Sequence, residues 1–170
     1  FFEQADTAVR RVFDFAIERL NANTWMQAPP LPASFSLLHE NHWTIMAVDA
    51  AAVHREAFER SPEAFAPEVA TLIETGLATP AAAYARALKH HLEFRAEMQR
   101  SMQAIHLCMP AIPAPAPGPE TTGDARFNSP WSYCGFPALT IPCGLTENGL
   151  PVGLQIVGEL DETLLGAARW

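Results

Sequence analysis

The sequence predicts an α/β fold that is mostly helical over its N-terminal part and turns to strands and loops afterwards. Three observations predict it. Apolar residues recur at helical spacing up to about residue 105. Residues 110–119 then hold five of the chain's fifteen prolines, which rules out regular structure there. Beyond them, the runs "ALTIPCG" and "LPVGLQIVG" flank the turn sequence "TENG". A length of 170 residues allows one domain with a real core and is short for two.

The first helix is "DTAVRRVFDFAIERLN", with Val9, Val12, Phe13, Ala16, Ile17 and Leu20 at helical spacing, Asp6 as its cap and Asn21 as its end. Pro29, Pro30 and Pro32 in "QAPPLPASF" then break regular structure. "SLLHENHWTIMAVDAAAVHREAFER" is a long helix, apolar over much of its circumference, as expected of a helix packed on more than one side. "APEVATLIETG" is a short helix with Gly76 placed as a left-handed cap. The next helix opens with Thr79 as cap and Pro80 at its first position. Its stripe is Tyr84, Leu88, His91, Arg95, Met98, Met102 and Ile105. "HLCM" is a short strand, and "TTGDARFNSPWSYCG" is a loop dense in polar and aromatic groups. The two strands follow, with Asn148-Gly149 as turn residues, and "DETLLGAARW" begins a helix capped by Asp161.

Apolar residues make up 49% of the chain, charged residues 18%, and the formal net charge is −8. That balance speaks against nucleic acid or an anionic membrane as partner, since both call for clustered Lys and Arg. No apolar run approaches the ~18 residues of a spanning helix. Cys108, Cys134 and Cys143 are few, odd in number and scattered, which predicts reduced thiols and a cytoplasmic protein. The chain opens on Phe1-Phe2 without Met and stops at Trp170 within an apolar helical pattern, so a piece of something longer is expected.

Few constellations carry chemistry. His39 and His42 are three apart, whereas a zinc helix of the H-E-x-x-H kind needs four, and no third ligand is evident. His90 and His91 point about 100° apart on a helix and cannot chelate together. No metal and no cofactor is expected. Asp14/Glu18 and Glu93/Glu97 read as surface charge. Cys143 lies in apolar "LTIPCGL" with nothing basic near it in sequence, and a packed thiol is expected rather than a nucleophile. The loop holding Asp124, Arg126, Phe127, Asn128, Ser129, Trp131, Ser132 and Tyr133 is the richest in hydrogen-bonding and stacking groups. Binding residues concentrate on such loops, and packing alone is the other reading.

The stretch "TGDARFNSPWSYCGFPALTIPCGLTENGLPVGLQIVGELDETLLGAA" resembles the C-terminal part of the amidase signature family, the serine amidohydrolases. Members run T-G-D…F-N-x-P-W…G-x-P-A-L-x-x-P-x-G…G-L-P-x-G-x-Q-x-x-G…LL. The upstream helices fit more loosely, and the segment "LCMPA" departs from a threonine that relatives often carry before the proline. The resemblance implies an α/β/α fold with a mixed central sheet. On it, residues 1–105 are a helical segment and 106–170 a strand/loop/strand segment with a pocket loop at 123–135, together one incomplete domain.

The resemblance also implies a function. The parent protein would be an amidase hydrolysing carboxamide C–N bonds through a Ser–cisSer–Lys acyl-enzyme. This chain has no Ser-Ser pair, and its one lysine, Lys89, sits mid-helix. The catalytic residues are therefore expected outside it, in a missing N-terminal half, and the chain alone is expected to be inactive. The substrate-binding candidates are Phe127, Asn128 and Trp131, with Asp124 and Tyr133 behind them. A small-molecule amide is the implied substrate, and a homodimer of the full-length protein is one expectation. The alternatives are a non-catalytic amidase-like module or truncated gene product, and the amidase component of a tRNA-dependent amidotransferase.

Overall fold

The computed structural model describes residues 2–20, 31–102, 106–158 and 166. Asn21, Pro29, Pro30, Ile105 and the helix expected after Asp161 lie outside the described residues. The chain divides into two compact units, Pro32–Ala96 and the pair of segments Phe1–Leu31 with Glu97–Trp170.

In the second-named unit, helix α1 (Thr7–Leu20) starts where the sequence predicts. Asp6 Oδ1 accepts the Ala8 N–H at 2.7 Å, satisfying one of the orphan donors of the first turn. Strands β1 (Leu107–Pro110), β2 (Ala138–Leu145) and β3 (Pro151–Val157) form an antiparallel sheet in the order β1-β3-β2. Helix α1 covers one face of it. Leu154 and Ile156 pack there with Phe13, Ile17, Cys108, Ile141 and Cys143. Val12 approaches so closely that a Cβ on Gly144 would fall 2.7 Å from its Cγ1.

The β2–β3 register pairs Thr140 with Gln155 and Pro142 with Gly153, then skips Cys143 to pair Gly144 with Val152. Cys143 is therefore the extra residue of a β-bulge. Pro142 lies inside β2. It is tolerated because β2 has β3 on one side only among the described residues, and the ladder breaks next to it. In the hairpin turn, Gly149 N–H donates to Thr146 O at 2.9 Å, and Gly149 takes a φ of 78°.

In the unit Pro32–Ala96, a short 3-10 turn (Ala33–Leu37) leads into α2 (Leu38–Arg60), followed by α3 (Pro67–Ala78) and the greater part of α4 (Ala81–Ser101). Helices α2 and α3 pack on Ala47, Ala51, Phe58 and Ile73, and Phe58 meets Phe65 edge-on with ring centroids 5.5 Å apart. Gly76 is not a left-handed cap. It lies buried inside α3, against the backbone of Ala47. Thr79 does not cap α4 either, because its Oγ1 donates back to Thr75 O at 2.7 Å. Pro80 stands one place before α4, its carbonyl accepting the N–H groups of Ala83 and Tyr84.

The buried row of α4 runs through Ala87, Phe94 and Met98; Met98 lies on the expected stripe, whereas Ala87 and Phe94 stand one position before the expected Leu88 and Arg95, and Leu88 is exposed. Phe94 supplies the reason: it stacks on His90 and meets Phe35 edge-on, which turns that side inward. Burying a side chain of this size contributes about 1.5–3 kcal/mol. Helix α2 is buried along one row, while Trp43, Met46 and Val53 remain exposed.

Candidate functional site

The segment 123–135 is not a loop throughout. Its second half is a six-residue helix, α5 (Ser129–Cys134), with Asn128 at the N-cap position and Pro130 in the first turn, where a missing N–H costs nothing. Gly135 ends it in the left-handed region at φ 71°, and Phe136 N–H reaches back to Trp131 O at 3.0 Å. The signal was present in the sequence: a proline after Ser129, then a glycine five residues on.

Before the helix, Gly123 takes a φ of 84°. Asp124 Oδ1 accepts the Arg126 N–H at 2.8 Å and its Oδ2 accepts Arg126 Nε–H at 2.6 Å. Arg126 Nη1 in turn donates to Gln4 Oε1 at 3.1 Å. Asp124 is thus the exposed hinge of an Asx turn, held by its own neighbour. Ala125 O accepts the N–H groups of both Asn128 and Ser129 at 2.8 Å and swings the chain into α5.

The five candidates separate by burial. Phe127, Trp131 and Tyr133 are covered, Asn128 is half-buried, and Asp124 is exposed. Burial pushes the Tyr133 phenol up to about 12, so it stays neutral at ordinary pH. The three aromatic rings form the foundation of the segment, and Asn128 is the polar side chain that the helix start brings towards the surface.

A residue outside the expected set joins them. Gln155, in the middle of β3, is 4% exposed and donates from Nε2 to Asn128 Oδ1 at 2.7 Å. It lies opposite Thr140 on β2 and Met109 on β1. Its Oε1 and Trp131 Nε1 are buried with no partner among the described residues. A polar residue interrupting the apolar run "PVGLQIV" is the signal that points to it.

Other chemistry-bearing groups are quiet. Cys143 Sγ lies 3.4 Å from Val152 O, to which it donates, and burial raises its pKa. Burial, with Cys143 nearby, lifts Cys108 to about 11. Neither thiol is poised as a thiolate. Lys89 is 76% exposed and pairs with Glu93 at 3.7 Å on the surface of α4. Burial, with His39 and His91 close by, lowers the pKa of His42. Among the described residues, no group of three or more His, Cys, Asp or Glu is arranged to hold a metal ion, and no helix is long and apolar enough to cross a membrane.

Comparison with known proteins gives a consistent picture. The family model described as Amidase matches residues 1–165. An amidase of Pseudomonas putida is 29% identical over an alignment of 195 residues, covering 98% of this chain and 39% of that protein. A glutamyl-tRNA(Gln) amidotransferase subunit of Chlorobium phaeobacteroides is 53% identical over 45 residues, 25% of this chain and 9% of that protein. A crystal structure of an amidase superposes with a TM-score of 0.83 at 29% identity, covering 94% of this chain and 39% of its own. The chain therefore spans about 39% of the length of the amidase relative it matches end to end.

Proposed function

The chain belongs to the amidase family, and from that premise we propose that the full-length protein hydrolyses the C–N bond of a small-molecule carboxamide. Water adds across that bond to leave a carboxylic acid and an amine or ammonia. The carrying observation is the match to an amidase over 98% of this chain. The nucleophile, its base and the oxyanion donors must lie within hydrogen-bond reach of one another. Lys89 is an exposed group paired with Glu93, and burial raises the pKa of Cys108 and Cys143, so neither thiol is poised as a nucleophile. The acyl-enzyme is accordingly assigned to a Ser–cisSer–Lys arrangement outside this chain, and the chain by itself is inactive. Three cysteines, few and scattered along the chain, support a cytoplasmic location.

Within this scheme, residues 123–135 line one wall of the substrate pocket. Asn128 presents the polar group, and Phe127, Trp131 and Tyr133 give the wall its rigidity. Asp124 holds the entry of the segment through Arg126. The exposed Trp43, Met46 and Val53 on α2 agree with a chain that forms part of a larger body.

The test is to express the full-length protein and follow release of amine or ammonia from aliphatic and aryl amides, with hydroxylamine added to intercept an acyl-enzyme as hydroxamate. Turnover with hydroxamate formation is expected. A folded protein that turns over neither amide class overturns the proposal, and turnover by this chain alone would place the chemistry within it. The 53% identity over 45 residues favours a second reading, the amidase component of a tRNA-dependent amidotransferase. Glutamine-dependent amidation of an aminoacyl-tRNA, seen only once the partner proteins are supplied, would select it.

A further inference from the structure

We propose that Gln155 is a positioning residue of this site: from the middle of β3 it holds the Asn128 amide so that Nδ2 is offered to a carbonyl or carboxyl oxygen of the ligand. The inference rests on residues 123–135 being a pocket wall.

Gln155 and Thr146 are the buried polar residues among those described. Thr146 is satisfied within its own turn, where its Oγ1 accepts the Leu150 N–H at 3.1 Å. Gln155 instead reaches out of the sheet to another element, at 2.7 Å. Burying an amide in a strand costs free energy unless both its ends are bonded, so an apolar residue would serve a purely packed position better. Here one end is used and Oε1 is left over.

One hydrogen bond between two amides uses one end of each. With Asn128 Oδ1 taken by Gln155, Nδ2 is the end that remains, and no described residue accepts from it. Asn128 is half-buried at the start of α5, so Nδ2 can be reached while Gln155 and the Trp131 indole stay covered. Without Gln155 the Asn128 amide could turn and offer an oxygen in place of a donor. The ligand chemistry selected is an acceptor oxygen, as in a carboxamide or its acid product.

The experiment uses the full-length protein with Gln155→Met, Asn128→Asp and the double variant, reading kcat and KM for two amides together with Tm. Gln155→Met keeps the side-chain length without the hydrogen bond. Asn128→Asp keeps Oδ1 for Gln155 and loses the donor. Each is expected to lower kcat/KM by about tenfold, with the double variant no lower than either, because both remove one presented donor. Unchanged kcat/KM in folded Gln155→Met, or two losses that multiply, overturns the proposal. Should Gln155→Met fail to fold, Gln155→Leu takes its place, since it is close in size and has no donor. If Asn128→Asp and Trp131→Ala both leave the kinetics untouched, the pocket-wall reading itself falls. A loss in Asn128→Asp without one at position 155 removes only the positioning role.

Discussion

A Cβ on Gly76 would overlap the carbonyl oxygen of Ala47 and lie 2.7 Å from the Cβ of Ala51. Helices α2 and α3 meet backbone to backbone at this point, so the space a methyl group needs can come only from moving a helix. Gly76→Ala is therefore expected to destabilise the protein by about 1–3 kcal/mol through overpacking. Urea titration of the full-length protein checks it, and wild-type stability would mean that the helices separate freely.

Gly149 is the contrasting case. It has a φ of 78° and nothing within 4 Å of an added Cβ, so backbone strain is the whole cost. Gly149→Ala should lose about 1–2 kcal/mol, and Gly149→Asn less, because Asn tolerates the left-handed region. Equal melting temperatures for the two variants would contradict this.

The two glycines show what the sequence makes legible. Asn148-Gly149 between two β-rich runs announces a hairpin from local chemistry alone. Gly76 follows an apolar run in the same way that a helix cap does, and only the presence of Ala47 opposite it shows the true role. The Asp6 cap and the three strands are equally local, and the structure holds them where the residues predict. In α4 the expected Met98 is buried, but before it burial falls on Ala87 and Phe94 in place of Leu88 and Arg95, because Phe35, distant in sequence, draws Phe94 inward. In the candidate site, the aromatic residues are visible in the sequence as types but not as covered groups. Gln155 shows in the sequence only as a polar residue within an apolar run, and its pairing with Asn128, 27 residues away, is not readable there.

Helix α1 is tied down at its start. Asp6 accepts the Ala8 N–H, and its own N–H donates to Pro113 O at 2.6 Å. Asp6→Ala keeps the backbone bond and loses the cap, for an expected cost of about 1 kcal/mol. Asp6→Asn should recover most of it, and a melting series of the three proteins decides.

Cys108 gives a pH dependence whose sign is fixed. Its thiol ionises at about 11 in the fold, above its ordinary value near 9, because burial disfavours the thiolate. Between those two values the unfolded chain has released a proton that the folded chain still holds. Stability therefore falls as pH rises through that window, and the group contributes no change below it. Cys108→Ala should flatten this part of the stability profile. Ellman's reagent should label the native thiols slowly at neutral pH, and rapid labelling of Cys108 would show a thiolate that its surroundings do not predict.

Trp131 tests whether the aromatic foundation and the polar group above it act separately. The side chain is 1% exposed, so Trp131→Ala removes a large buried group and should cost about 3–5 kcal/mol of stability. A kinetic change in that variant could then follow from a collapsed segment. Trp131→Phe keeps most of the ring and loses Nε1, which has no partner among the described residues. Stability should therefore drop far less in Trp131→Phe, while Asn128 stays at the start of α5 through its 2.7 Å bond from Gln155. Melting temperature and KM across several amides, measured on both variants, separate the two effects. A KM that shifts in proportion to lost stability marks Trp131 as foundation. A KM that shifts in stable Trp131→Phe shows that the indole N–H acts on the site beyond its bulk.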